Sequence, residues 1–190
     1  MSGEDTRSQR ERMLAGDPYV ANDPELAREA LRAAELTKAF NDSSPSDPAA
    51  RRRILAELLG SLGDDTEIRP PFYCDYGSHT HVGSRTFVNF GLVALDVAPI
   101  RVGDDVQLGP YVQLLTATHP LDPEPRRAKW ESAEPITIED NVWLGGGVIV
   151  CPGVTIGADT VVGAGAVVTK DLPPGVLAAG VPARVVRPLR

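Results

Sequence analysis

Basic charge, aromatic rings, cysteine and long apolar runs are all scarce in this chain, and each shortage closes a class of function. The 190 residues carry 26 acidic against 19 basic side chains, a formal charge of −7 at neutral pH. Neutralising phosphates or anionic headgroups needs a basic face, so neither nucleic-acid nor membrane-surface binding is expected. Aromatic residues make up 5%, too few for a platform on which bases stack. No apolar run approaches the roughly 20 residues a spanning helix needs, and the charged N-terminus shows no apolar signal segment. Cys74 and Cys151 lie far apart and match no metal or redox spacing. They read as reduced thiols in a cytoplasmic protein.

What is plentiful is Val, Ala, Gly and Pro, and between 138 and 168 they fall into a fixed rhythm. Ile138, Leu144, Val150, Ile156, Val162 and Val168 are aliphatic at every sixth position. Four residues after the first five come Val142, Val148, Val154, Thr160 and Ala166. A period of six fits neither a helix at 3.6 nor the alternation of a half-buried strand. It fits a solenoid in which each hexapeptide makes one flat side and a tight turn, three sides closing a coil.

Residues 1–60 read as helical, with helices near 8–15, 24–40 and 48–59. Asp23-Pro24 and Asp47-Pro48 each set an acceptor at the N-cap and proline at the first helical position. Gly16, Asn41 and Gly60 are the expected stops. Arg51-Arg52-Arg53 reads as a solvated helix face. The solenoid, residues 61–190 with its tail, is expected to take up its rhythm near residue 66. A first register runs through Tyr76, Val82, Val88 and Ala94, and Asp96-Val-Ala-Pro-Ile100 breaks it. A second begins at Val102 and passes through Leu108 and Leu114. Ile138 lies 36 residues after Val102, a whole number of hexapeptides, so residues 116–135 must leave the coil as a loop. That loop holds four prolines, no six-residue pattern and a histidine, and long loops on rigid scaffolds carry function. Beyond residue 160, Lys170, Arg184, Arg187 and Arg190 face Asp171 alone. A basic end on an acidic chain suggests an anionic ligand, with a merely solvated terminus as the alternative.

The hexapeptides, the loop motif Ala117-Thr-His119-Pro-Leu-Asp-Pro, the tail Thr169-Lys-Asp-Leu-Pro-Pro-Gly and the end Ala179-Gly-Val-Pro-Ala-Arg184 resemble the maltose and galactoside O-acetyltransferases. Met13-Leu-Ala-Gly-Asp-Pro-Tyr resembles the helical segment that precedes the solenoid in the maltose branch, so the resemblance spans nearly the whole chain. It implies a mainly β fold, a left-handed parallel β-helix with an N-terminal α-helical segment. It also implies a homotrimer with active sites between subunits, acetyl-CoA as donor, a sugar as acceptor and no metal. His119 matches the catalytic histidine, and imidazole ordinarily titrates at about 6.5, which suits a general base. Asn89 matches an asparagine that contacts the acceptor and helps polarise the reacting centre. Glu131 resembles a glutamate that orients the base in some members, and a solvated loop glutamate is the other reading. Asp75 and Asp96 match positions that hydrogen-bond sugar hydroxyls. Gly146, Ala164, Thr169, Lys170, Arg184 and Arg187 match donor-binding positions, and Trp143 either lines the pantetheine groove or packs at a corner. Asp75 replaces a serine of the galactoside branch and Val97 its substrate-binding aspartate, which favours a maltose- or glucose-like acceptor over a galactoside.

Two other classes compete. His79 and His81 form an H-x-H that, with His119, exhausts the histidines. Three histidines serve a γ-carbonic-anhydrase-like metal site on this kind of fold, but their spacing here differs. A non-catalytic solenoid would leave the loop histidine and the basic tail without a use. Within the acetyltransferases, an antibiotic or amino-acid acceptor remains open.

Overall fold

The computed structural model describes residues 6–189; Arg190, counted above among the cations of the tail, lies outside them. Three helices come first: α1 (Gln9–Leu14), α2 (Pro24–Asn41) and α3 (Pro48–Leu58). The caps are those expected. Asp23 accepts from the Glu25 amide at 2.7 Å and Asp47 from the Ala50 amide at 2.8 Å. Ser8 and Glu11 add a reciprocal capping box at α1. Of the three stops, Gly16 alone behaves as expected, with φ of 77° just beyond α1. Asn41 is instead the last residue of α2. Its amide exchanges two hydrogen bonds with the Phe72 backbone, at 2.9 and 2.8 Å, and so fastens the helix to the first coil. Gly60 follows an extended Leu59 and is needed for space, since a Cβ there would stand 2.3 Å from the Ser78 carbonyl oxygen.

From Ser61 onward the chain is a β-solenoid of three parallel sheets, stacked coil on coil. On one side Leu62, Val82, Val102, Ile138 and Ile156 are successive partners. On the second Ile68, Val88, Leu108, Leu144, Val162 and Ala178 are. On the third they are Cys74, Ala94, Leu114, Val150 and Val168. Most strands have only two residues, so their ladders alone could not hold the fold. The interior does, because the inward aliphatics of all coils merge into one buried core, each side chain contributing about 1.5–3 kcal/mol on burial. At the turn between the first and second sides, Asp65, Arg85, Asp105, Asn141 and Asp159 all take positive φ, one per coil.

These ladders correct the first register. Tyr76 does not belong to it; Cys74 does, and the coils begin at Ser61 rather than near 66. The coil lengthens by two residues after Cys74 and again after Ala94, and by eighteen after Leu114. All three insertions leave at the same corner. The outcast residues Tyr76, Val97 and Ala98 pack there with Met13, Tyr19, Leu26 and Ala133 as a second, smaller core.

Residues 116–135 leave the coil as expected, yet not as an irregular loop. Ala117–Thr118 pairs antiparallel with Trp130–Ala133, and the N-terminal strand Tyr19–Val20 adds to the other edge. Between the hairpin arms lies a short helix, α4 (Pro123–Arg127), capped by Asp122. At the C-terminus Arg184–Pro188 folds back antiparallel on Val176–Ala179 and lies exposed. Among the described residues no helix is long and apolar enough to cross a membrane.

Candidate active site

His119 stands one residue past the paired part of the hairpin. Ala117 partners Ala133 and Thr118 partners Ser132, so the register carried one step further sets His119 opposite Glu131. The hairpin is pinned beside it by the Thr118 and Ser132 hydroxyls, 2.7 Å apart. On the far side, Arg126 donates to the Pro120 and Leu121 carbonyls, both at 2.8 Å. The imidazole itself is exposed. Glu131 is half-buried and accepts a hydrogen bond from the Tyr19 hydroxyl at 3.1 Å.

Asp75 belongs to this cluster electrostatically. Burial first, then the negative charges of Asp96 and Glu131, push its carboxyl up to about 6. Asp96 is a correction. It is fully buried, with one oxygen accepting from the Asp75 and Tyr76 amides at 3.1 and 2.9 Å and the other from the Thr80 hydroxyl at 3.0 Å. A carboxylate spent in this way braces the turn that carries Asp75 and does not face an acceptor. The same turn is braced by His79, whose Nδ1 lies 2.7 Å from the Asp96 carbonyl oxygen and whose ring meets Tyr76 at 5.4 Å.

The second half of the site is a groove of about 490 Å³ along the second side of the solenoid. Asn89, Trp143, Gly146 and Ala164 all line it, together with Pro110 and Leu177. Trp143 is 56% exposed, a groove wall rather than a packed corner. The corner above changes character from coil to coil. Phe90 and Tyr111 meet edge to face at 6.5 Å on the earlier coils, whereas Gly145-Gly-Gly147 and Gly163-Ala-Gly165 leave a bare shelf. Gly145 is obligatory, since a Cβ there would lie 2.6 Å from the Ala164 nitrogen. The Gly146 carbonyl accepts from Gly165 at 2.9 Å, while its own N–H meets no acceptor among the described residues.

Thr169, Lys170, Arg184 and Arg187 are exposed and lie outside that lining. Arg187 is the strand partner of Leu177, one row from the groove wall. Neither arginine nor Lys170 pairs with a carboxylate among the described residues; the guanidiniums touch only the Ala183 and Pro188 carbonyls. One chain therefore has Glu131 within electrostatic reach of Asp75, with His119 one step past the paired arm of the same hairpin, at one corner, and Asn89, Trp143, Gly146 and Ala164 together on another side. It does not join the two groups. A larger cavity, about 750 Å³ between α3 and the first coil, is lined by none of these residues. His79, His81 and His119 do not converge, and no group of three or more His, Cys, Asp or Glu among the described residues could hold a metal ion. Sequence reasoning missed Tyr19, because a two-residue strand leaves no alternation to read.

Two family models match the chain: the maltose acetyltransferase hexapeptide capping motif over residues 12–63, and the bacterial transferase hexapeptide, six repeats, over 135–170. The galactoside O-acetyltransferase of Escherichia coli is 41% identical, with 93% of this chain and 87% of that protein aligned. The crystal structure of a maltose O-acetyltransferase from Clostridium difficile superposes with a TM-score of 0.96 at 43% identity, covering 97% of this chain and 98% of that one. A hexapeptide-repeat acetyltransferase from Vibrio cholerae, complexed with acetyl coenzyme A, gives 0.91 at 42% identity over 97% and 100%.

Proposed function

We propose, from the premise that this chain belongs to the maltose and galactoside O-acetyltransferase family of acetyl-CoA-dependent acyltransferases, that it acetylates a hydroxyl of a maltose- or glucose-like sugar. The observation that supports the reading is the hairpin register at the root of an ordered excursion, which, continued one step beyond Thr118–Ser132, puts His119 across from Glu131. Glu131 fixes the tautomer and direction of the imidazole, and His119 takes the proton of the sugar hydroxyl. The freed oxygen attacks the thioester carbonyl. A C–O bond forms, the C–S bond breaks, and the departing thiolate of coenzyme A recovers the proton from His119. Charge that builds on the carbonyl oxygen meets the Gly146 N–H, and Asn89 steadies the reacting centre from the same groove. Trp143 and Ala164 line the path of the pantetheine arm. Thr169 and the cations Lys170, Arg184 and Arg187 take the phosphate end of the donor. Asp75 accepts from sugar hydroxyls.

Because base and donor groove occupy different parts of the prism, a complete site is built between neighbouring copies in a homotrimer. Residues 1–60 then act as a cap segment on a catalytic solenoid spanning 61–190, and acetyl-CoA as donor puts the reaction in the cytoplasm. The test is release of free thiol from acetyl-CoA with a panel of sugars, amino acids and aminoglycosides as acceptors. Sugars are the expected acceptors, and His119→Ala is expected to lower turnover by about 10²–10⁴-fold. Full activity in that variant, or turnover confined to non-sugar acceptors, overturns the proposal.

A further inference from the structure

The N-terminal segment does more than cover the end of the solenoid. Its strand Tyr19–Val20 forms the outer edge of a three-stranded sheet whose other members are the two arms of the excursion. Tyr19 is the backbone partner of Glu131, Val20 of Trp130. The Tyr19 ring is 1% exposed, seated in the second core against residues such as Met13, Leu26 and Tyr76. From that fixed seat its hydroxyl donates to the Glu131 carboxylate at 3.1 Å. A buried aromatic loses little freedom in holding a hydrogen bond, whereas a half-buried glutamate on a hairpin has rotamers to spare. The pairs of the other arm end at Thr118–Ser132, and the same register carried one step further puts His119 across from Glu131.

We propose that Tyr19 is a positioning residue for the transfer reaction: its hydroxyl holds Glu131 in the one rotamer that orients His119. This rests on the reading that His119 is the base and Glu131 its orienter. The carboxylates of Glu131 and Asp75 and the phenol of Tyr76 all face Tyr19, and burial together with the Glu131 charge raises its phenol far above the ordinary range. Tyr19 therefore remains a donor throughout the working pH range. The relay also explains a feature that packing leaves unexplained. A phenylalanine would fill the same apolar seat, yet the residue there carries a hydroxyl aimed at the Glu131 carboxylate.

The test is a double-mutant cycle on the full chain, read as thiol release at saturating sugar, with Tyr19→Phe, Glu131→Gln, the double variant and His119→Ala. Tyr19→Phe keeps the ring and its packing, so the melting temperature and the KM for acetyl-CoA are expected to hold. The expected fall in kcat is about tenfold. In the Glu131→Gln background the same substitution is expected to change nothing further, because the group it positions is gone. A tyrosine that only packs would give equal losses in both backgrounds or a lowered melting temperature, and either result overturns the inference. If His119→Ala is inactive while Tyr19→Phe matches the parent, this inference alone fails. If His119→Ala retains activity, the reading beneath it fails as well.

Discussion

Asp75 gives up its proton at a higher pH than a solvated carboxylate does, and the cause is local. Its side chain is largely withdrawn from water and faces the charges of Asp96 and Glu131, so its carboxyl moves from 3.8 to about 6. Below about pH 4 the folded and unfolded chains both hold the proton and the group contributes nothing. Between about 4 and 6 the unfolded chain releases it while the native one retains it, so native stability falls as pH rises through that window. Asp75→Asn removes the titration. Urea unfolding at pH 4 through 7 is expected to show the variant gaining on its parent as pH rises, by about 1 kcal/mol at pH 7 once partial solvent contact is discounted. Equal stability differences at pH 4 and 7 would contradict the shift. Asp96 shows why such roles cannot be read from residue type. It shares Asp75's chemistry, yet its two oxygens are used up by two amides and a hydroxyl. Both lie in two-residue expansions at the same corner, but Asp75 stands one residue past Cys74 and Asp96 two past its partner Ala94, and that offset places them differently.

At the scale of elements, the period of six is legible in the sequence because nothing else in proteins repeats an inward aliphatic at that interval. The helix starts are legible too, since Asp-Pro pairs encode a cap and a fixed φ together. The expectation that 116–135 leaves the coil follows from the same counting. Its internal hairpin does not, because Ala117–Thr118 against Ala133–Ser132 is too short to alternate, and Tyr19–Val20 lies a hundred residues away in the chain. Tyr76 mimics a ladder residue because the two residues added after Cys74 leave it six positions before Val82. Of the candidate site, Asn89, Trp143, Gly146 and Ala164, named from the family resemblance, line one groove on one side of the solenoid. The cations of the tail stand out in the sequence by charge alone, whereas the burial of Asp96 carries no sign in its residue type. The excursion, proposed to carry the base, is separable in the chain from the groove proposed for the donor. Shortening 116–135 to the two residues a regular coil has there restores the eighteen-residue step between Val102 and Ile138 partners. Circular dichroism is expected to retain the β signal and equilibrium dialysis to retain acetyl-CoA binding, with no acetyl transfer. Loss of acetyl-CoA binding would show that the excursion helps to build the groove.

For the whole molecule the decisive fact is that a triangular prism separates its sides. His119 leaves from the corner between the third and first sides, whereas the groove lies along the second, beneath a corner lined by Gly145-Gly-Gly147. No turn of a rigid solenoid can bring that corner to that side within one chain. Packing copies side by side around a threefold axis can, since each copy then offers its excursion to a neighbour's groove. This has an arithmetic consequence. Consider two inactive chains, one with His119→Ala and one with Gly146→Asp, in which the added carboxylate crowds the shelf and repels the donor. With sites shared between copies as proposed, each alone has no intact site. Mixed in equal amounts and reassembled at random, half of the excursions and half of the grooves are unaltered, and they come from different chains. A site that draws one part from each of two neighbours is therefore whole in about a quarter of cases. Thiol release by the reassembled mixture is expected to reach about a quarter of the parent's rate, whereas sites contained within single chains would give none at any mixing ratio. The fraction should also rise and fall symmetrically about equal proportions, because it is the product of the two chains' shares. That symmetry distinguishes shared sites from a trace of revertant parent, whose contribution would follow only one of the two preparations.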